Sequence, residues 1–257
     1  MRLNWVEAGE GSPVALLHGL FGAAQNFGAV QKALAAAGHR VLALDLRNHG
    51  ASPHAPGMDY PTMAADVAET LAAARALPAA VLGHSMGGKV AMMLALTRPA
   101  AVARLVVADV APVRYPPRLR GYVEAMRALP LRPGLTRREA DAALAAAVPE
   151  AAVRGFLLQN LRFETDPPRW RLGLAEIAQA MPEIESFDGV PEGARYEGPV
   201  LAIAGERSDY IRPEHHARFR ALFPNVRFAT VPQAGHWLHA ENPQGFLALV
   251  APFLAEG

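Results

Sequence analysis

Ser85 sits in Gly83-His84-Ser85-Met86-Gly87-Gly88, directly after the apolar run Ala79-Ala80-Val81-Leu82. A serine hydroxyl so placed could attack a carbonyl carbon. It would need a neutral imidazole to take its proton and a carboxylate to stabilise the imidazolium that forms. The run before it reads as a short buried strand. Lys89 to Leu96 after it reads as a helix that stops before Pro99. A strand that turns so tightly into a helix strains the central residue, and only glycine-sized neighbours let the chain fold back on both sides. The hydroxyl is then held up at the rim of a sheet, in a nucleophile elbow. With 22 glycines and five serines in 257 residues, a Gly-x-Ser-x-Gly is expected by chance only about 0.04 times. The plainer alternative is a glycine-rich surface turn.

On such a scaffold the partners follow in the order serine, acid, histidine. Of the nine histidines, His236 fits best, because Gly235-His236-Trp237 follows the last strand-like run and emerges at the carboxyl edge of the sheet. His239 belongs to the following helix, and His215 and His216 read as residues of an exposed helix. Two carboxylates compete for the acid. Asp109 ends Val106-Val107-Ala108-Asp109-Val110, and Asp209 follows the next strand in Gly205-Glu206-Arg207-Ser208-Asp209. Spacing alone leans towards Asp209, since the loop after the penultimate strand is the commoner location; a helix starting near Pro213 would make Asp209 a cap instead.

The oxyanion of an acyl-transfer intermediate needs N–H donors. Met86, just after the serine, supplies one backbone N–H. The loop His18-Gly19-Leu20-Phe21-Gly22 can aim a second, from Leu20 or, failing that, Phe21. His18 reads as a brace of that loop. Asp45-Leu46-Arg47-Asn48-His49-Gly50-Ala51-Ser52 has the composition of a hydrogen-bonded structural turn, and Glu206 and Arg207 read as solvated charges. The pocket would be bounded by Leu20, Phe21, Met86, Trp237 and apolar residues of an insert described next.

Strand-like runs recur at 14–17, 41–44, 80–82, 105–108, 200–203 and 226–229, with helical stretches between them. The first five are continuously apolar, as in strands covered by helices on both faces. That alternation predicts an α/β fold built on a mostly parallel, doubly wound sheet. Between Val110 and Gly198 the rhythm breaks: no clear strand, but a capping box at Thr136-Arg137-Arg138-Glu139 opening a helix to about Ala147, a second helix from Pro149 through Leu161 and a third from about Leu172 to Met181. A parallel crossover needs only a dozen or so residues, so residues 113–197 are expected to form a helical lid. It would be inserted, after the strand ending at Asp109, into a core of residues 1–112 and 198–257. A structural insert without contact to substrate is the alternative.

The bulk composition excludes other chemistry. There is no cysteine, hence no disulfide, thiolate metal site or cysteine nucleophile. A net charge of +1 gives no nucleic-acid footprint and no electrostatic membrane anchor. Arg114, Arg118, Arg120 and Arg127 near the insert entry read as solvated, although they could steer an anionic leaving group. No apolar run reaches the length of a membrane span, and Met1 to Glu7 lacks the apolar core of a signal peptide, so a cytoplasmic protein is expected.

Taken together, the elbow, His18-Gly19-Leu20-Phe21-Gly22, Arg47-Asn48-His49-Gly50-Ala51-Ser52-Pro53 and Ala234-Gly235-His236-Trp237 resemble the α/β-hydrolase superfamily. Within it they resemble the YbfF-like esterases, small lid-bearing hydrolases of acyl esters and thioesters. The resemblance spans nearly the whole chain and is least specific in the lid. It implies that Asp109, in Asp109-Val110-Ala111-Pro112, is the acid, and that Ser208 lends the imidazole–carboxylate pair a further hydrogen bond. Asp209, directly after that serine, departs from the pattern and stays a competitor. The expectation is a cofactor-free serine hydrolase of short to medium acyl groups. A C–C bond hydrolase, a perhydrolase or a non-catalytic ligand receptor could be built on the same residues. Dehalogenase and epoxide-hydrolase chemistry needs a carboxylate where Ser85 stands.

Overall fold

The structure is a computed structural model that describes residues 1–256. Its strands are β1 (Trp5–Ala8), β2 (Ser12–Leu17), β3 (His39–Leu44), β4 (Ala79–His84), β5 (Val102–Ala108), β6 (Leu161–Arg162), β7 (Arg169–Trp170), β8 (Val200–Gly205) and β9 (Val226–Val231). The helices in chain order are α1 (Gly28–Ala36), α2 (Tyr60–Ala73), α3 (Met86–Thr97), α4 (Arg120–Ala128), α5 (Arg137–Leu144), α6 (Ala151–Leu157), α7 (Leu174–Gln179), α8 (Met181–Glu185), α9 (His216–Leu222), α10 (Leu238–Glu241) and α11 (Pro243–Ala255). The seven-stranded sheet runs β1-β3-β2-β4-β5-β8-β9, and every pair is parallel except β1 with β3.

The apolar runs behave as a two-sided sheet demands. Alternate residues of one strand enter opposite layers: Leu17, Leu42, Leu44, Val81, Leu105 and Val107 pack on the side of α2 and α3, while Leu16, Val41, Ala43, Leu82, Val106 and Ile203 pack on the side of α1 and α11. Covering both faces is why these strands contain no polar alternation. Helix α3 is buried from Met86 through Leu96, which matches a sequence that is apolar all round apart from Lys89.

All six expected strands are present, and four features differ from the sequence expectation. β1 was not anticipated: four half-exposed residues with a glutamate among them carry little strand signal, and only pairing with β3 makes them extended. The 113–197 segment does contain a small antiparallel ladder, β6–β7. Two residues per strand are too few to show a period of two. The third expected helix is in fact two, α7 and α8, with Pro182 in the first turn of α8. The capping box forms as expected, Thr136 Oγ1 accepting from the Glu139 N–H at 3.2 Å and Glu139 Oε2 from the Thr136 N–H at 2.8 Å, but α5 stops at Leu144. Among the described residues, no helix is long and apolar enough to cross a membrane.

Candidate active site

Ser85 occupies the turn between β4 and α3 with φ +53° and ψ −121°, a conformation that costs an L-residue about 1–3 kcal/mol and persists only where its surroundings enforce it. The glycines are obligatory. A Cβ on Gly83 would lie 2.1 Å from the Gly87 carbonyl oxygen, and one on Gly87 would lie 2.3 Å from that of Leu17. Ser85 is pinned by its own N–H, which donates to Ala108 O at 2.9 Å.

His236 lies on the loop between β9 and α10. Its Nε2 is 3.0 Å from Ser85 Oγ and its Nδ1 is 2.7 Å from Asp109 Oδ2. Asp109 follows β5 directly, is fully buried and also adopts positive φ, +53°. Its Oδ1 accepts the Gly205 N–H at 3.1 Å, and its Oδ2 accepts a hydrogen bond from Ser208 Oγ. Asp209 is not brought to the histidine. It is half-exposed and pairs with Arg118 at 2.9 Å, a guanidinium that holds its carboxyl below the usual range.

Leu20 and Met86 line the space beside Ser85. Among the described residues, neither the Leu20 N–H nor the Met86 N–H donates to a protein acceptor. Met86 opens α3, where the first N–H groups of a helix have no partner within it. The Phe21 N–H, by contrast, is already engaged with His49 Nε2 at 3.2 Å. The loop is braced from beneath. His18 Nδ1 donates to Gly19 O at 2.8 Å and its Nε2 accepts from the Leu46 N–H at 2.9 Å. Burial keeps both imidazoles uncharged, lowering the pKa of His18 and taking that of His49 down to about 3. The Asp45–Ser52 segment serves as scaffold: Asp45 accepts from the N–H groups of Ala24 (2.7 Å) and Ala51 (2.9 Å).

Four features at the site carried no sequence signal. Tyr210 stacks on His236. His84 Nε2 donates to His236 O at 2.8 Å, tying the elbow strand to the histidine loop. Lys89, one helical turn beyond Ser85, is buried with Nζ donating to Ser186 O at 2.6 Å and Glu185 O at 3.2 Å; burial takes its pKa down to about 7. Asn160 from the insert reaches the Phe21 carbonyl. His215 is a correction: it is buried, and its Nδ1 accepts the Arg212 N–H. His216 stacks on Phe228. The four arginines singled out near position 113 are each ion-paired: Arg114 with Asp188, Arg118 with Asp209, Arg120 with Glu185 and Arg127 with Glu124.

Two spaces meet at Ser85. The larger, about 490 Å³, is walled by Leu20, Phe21 and Trp237 of the core and by Tyr122, Val153 and Phe156 of the insert. The narrower, about 50 Å³, is lined by Met86, Lys89, Tyr60, Tyr115 and Ile184. Among the described residues no cluster of three or more His, Asp or Glu side chains is arranged to hold a metal ion.

A seven-stranded, mostly parallel sheet with a serine at its elbow is the architecture of a hydrolase. Residues 12–243 match the family model described as alpha/beta hydrolase fold, and the chain belongs to that family. The sn-1-specific diacylglycerol lipase ABHD11 of Mus musculus is 42% identical over 249 residues, covering 94% of this chain and 80% of that protein. Esterase YbfF of Escherichia coli (strain K12) is 34% identical over 244 residues, 95% of this chain and 93% of that one. A solved structure of a marine microorganism esterase superposes with a TM-score of 0.92 at 32% identity, covering 98% of this chain and 99% of its own. The chain is a carboxylic-ester hydrolase of the YbfF-like type.

Proposed function

We propose that the enzyme cleaves acyl esters or thioesters of short to medium chain length through an acyl-enzyme on Ser85. The observation that carries this reading is the unbroken line from Ser85 Oγ through His236 to Asp109, with spacings of 3.0 and 2.7 Å. His236 Nε2 takes the hydroxyl proton as Oγ attacks the acyl carbonyl, then returns it to the departing alcohol or thiol. Asp109 accepts from Nδ1–H throughout, which fixes the tautomer and stabilises the imidazolium. Ser208 and the Gly205 N–H keep the Asp109 carboxylate oriented. The Leu20 and Met86 N–H groups receive the charge that develops on the carbonyl oxygen. Water then repeats the sequence on the acyl-enzyme with His236 again as base.

Residues 113–197 act in this reading as a cap over the core of 1–112 and 198–257. Tyr122, Val153 and Phe156 face Phe21 and Trp237 across the larger space, which would take the acyl chain. A pocket of this size suits a medium chain better than a fully extended long one.

Hydrolysis of p-nitrophenyl esters from acetyl to dodecanoyl, with a diacylglycerol added to the panel on the strength of the lipase relative, tests the reading in wild type and Ser85→Ala side by side. Turnover that peaks at one chain length and falls about 10⁶-fold in the variant is expected. Retention of more than a few per cent would remove Ser85 as nucleophile. No turnover of any ester would favour the C–C hydrolase or receptor readings.

A further inference from the structure

Asn160 ends the short 3₁₀ turn Leu158–Asn160 that follows α6. It is 4% exposed, and a buried primary amide demands partners. Its Nδ2 donates to Leu157 O at 3.2 Å in its own turn and, across the boundary between insert and core, to Phe21 O at 2.8 Å. Its main-chain carbonyl accepts the Arg171 N–H at 2.8 Å, so the backbone that carries the amide is held as well.

Phe21 is the residue that needs holding. It has φ +63°, in the left-handed region that a bulky side chain adopts only when its surroundings impose it. Its two backbone polar groups are bonded outside their own loop, the N–H to His49 Nε2 and the carbonyl to Asn160 Nδ2. The first bond fixes the peptide that joins Leu20 to Phe21 and the second the peptide that joins Phe21 to Gly22, so the backbone directly after the Leu20 N–H is held from both sides of Phe21. The His49 clamp also touches the insert at its base, since Asn48 O accepts the Gly173 N–H at 2.9 Å and His54 Nε2 donates to Arg171 O at 3.0 Å.

We propose that Asn160 is a positioning residue that completes the oxyanion hole from the cap. When the cap is seated, its amide holds the Phe21 carbonyl and so aims the Leu20 N–H at the developing oxyanion. When the cap lifts, that carbonyl loses its partner and the donor loses its aim. Enclosing the substrate and assembling the charge-stabilising site become one event. The inference rests on the reading of Ser85 as nucleophile and of Leu20 as donor.

The test compares wild type with Asn160→Asp, which replaces the donor by an acceptor of the same shape, and with Asn160→Ala, which removes it without adding charge. Three quantities are read with the best p-nitrophenyl ester: kcat, KM and the Ki of a trifluoromethyl ketone of matching chain length, which adds Ser85 and develops an oxyanion. Rates are taken per active site, titrated with a fluorophosphonate, so that a partly folded preparation still gives a valid kcat. In both variants kcat should fall about 10- to 100-fold, as small misplacements of catalytic groups do, with KM within about threefold. The ketone should weaken by a factor similar to the loss in kcat. An unchanged kcat, a rise in KM alone, or a loss of kcat without loss of ketone affinity would each overturn the proposal and leave Asn160 as cap packing. Failure of the fluorophosphonate to label wild-type Ser85 is a separate result that would undo the underlying reading of the nucleophile.

Discussion

The phenol ring of Tyr210 lies almost flat on the imidazole of His236, with centroids 4.0 Å apart and planes inclined by 19°. Its position is set by its backbone, whose carbonyl accepts from Tyr115 Oη at 2.5 Å and whose N–H donates to Ser208 Oγ at 3.3 Å. An aromatic face favours a cation above it by about 0.5–2 kcal/mol. With His236 as the base, as proposed above, the ring would stabilise the imidazolium formed during turnover. Tyr210→Phe keeps the face and should hold kcat/KM within about twofold, whereas Tyr210→Leu should lower it roughly 3- to 30-fold. Equal losses in the two variants, measured on one ester, would show that the hydroxyl and not the ring matters.

Asp109 and Asp209 sit in different settings, one on the imidazole and one on a guanidinium. Asp109→Asn leaves His236 Nδ1 without its carboxylate and should cost about 10⁴ in kcat. Asp209 makes an exposed pair with Arg118, of a kind worth about 0–1 kcal/mol, and Asp209→Asn should change kcat less than about threefold. The reverse ranking in steady-state kinetics would hand the acid role to Asp209.

Ser208 donates to the same Asp109 oxygen that His236 contacts. Removing it in Ser208→Ala leaves Oδ2 with one donor fewer while the Gly205 N–H still holds Oδ1. A loss in kcat of about 3- to 30-fold is expected, the equivalent of one hydrogen bond to a charged group or somewhat less. A loss as large as that of Asp109→Asn would mean that Ser208 takes part in proton transfer itself.

Acid should weaken the fold through the loop that carries Phe21. His49 accepts the Phe21 N–H through Nε2, which only the neutral ring can do, and burial holds its pKa down at about 3. The unfolded imidazole titrates near 6.5, so between about pH 6.5 and pH 3 the unfolded chain binds the extra proton. The stabilisation from a neutral His49 is thus complete above about pH 6.5 and is lost as pH falls towards 3. In urea unfolding at stepped pH, His49→Gln should show a shallower acid slope than wild type by up to a few kcal/mol over that window. Identical slopes would show that His49 does not couple to acid unfolding.

Much of this molecule is determined locally and so is legible in the sequence alone. The elbow is one such feature: a Cβ at Gly83 or Gly87 would collide with backbone at 2.1 or 2.3 Å, so the steric demand is written into residue types a few positions apart. The buried strands are another, because two covered faces leave no room for polar alternation. The placement of His236 after the last strand also follows from chain order.

What only the tertiary structure decided are relationships between segments far apart in the chain. Asp109 and Asp209 follow neighbouring parallel strands, β5 and β8, and either could have reached the histidine loop. In the structure Asp109, at φ +53°, meets the imidazole, while Asp209 points to Arg118. β1 exists only because β3 offers it an edge. Tyr210, Lys89 and Asn160 are unremarkable in the sequence, since a stacking face, a buried ammonium and an amide gripping a distant carbonyl have no local pattern. Their partners lie 26, 97 and 139 positions away, and only the packing of distant segments puts them in reach.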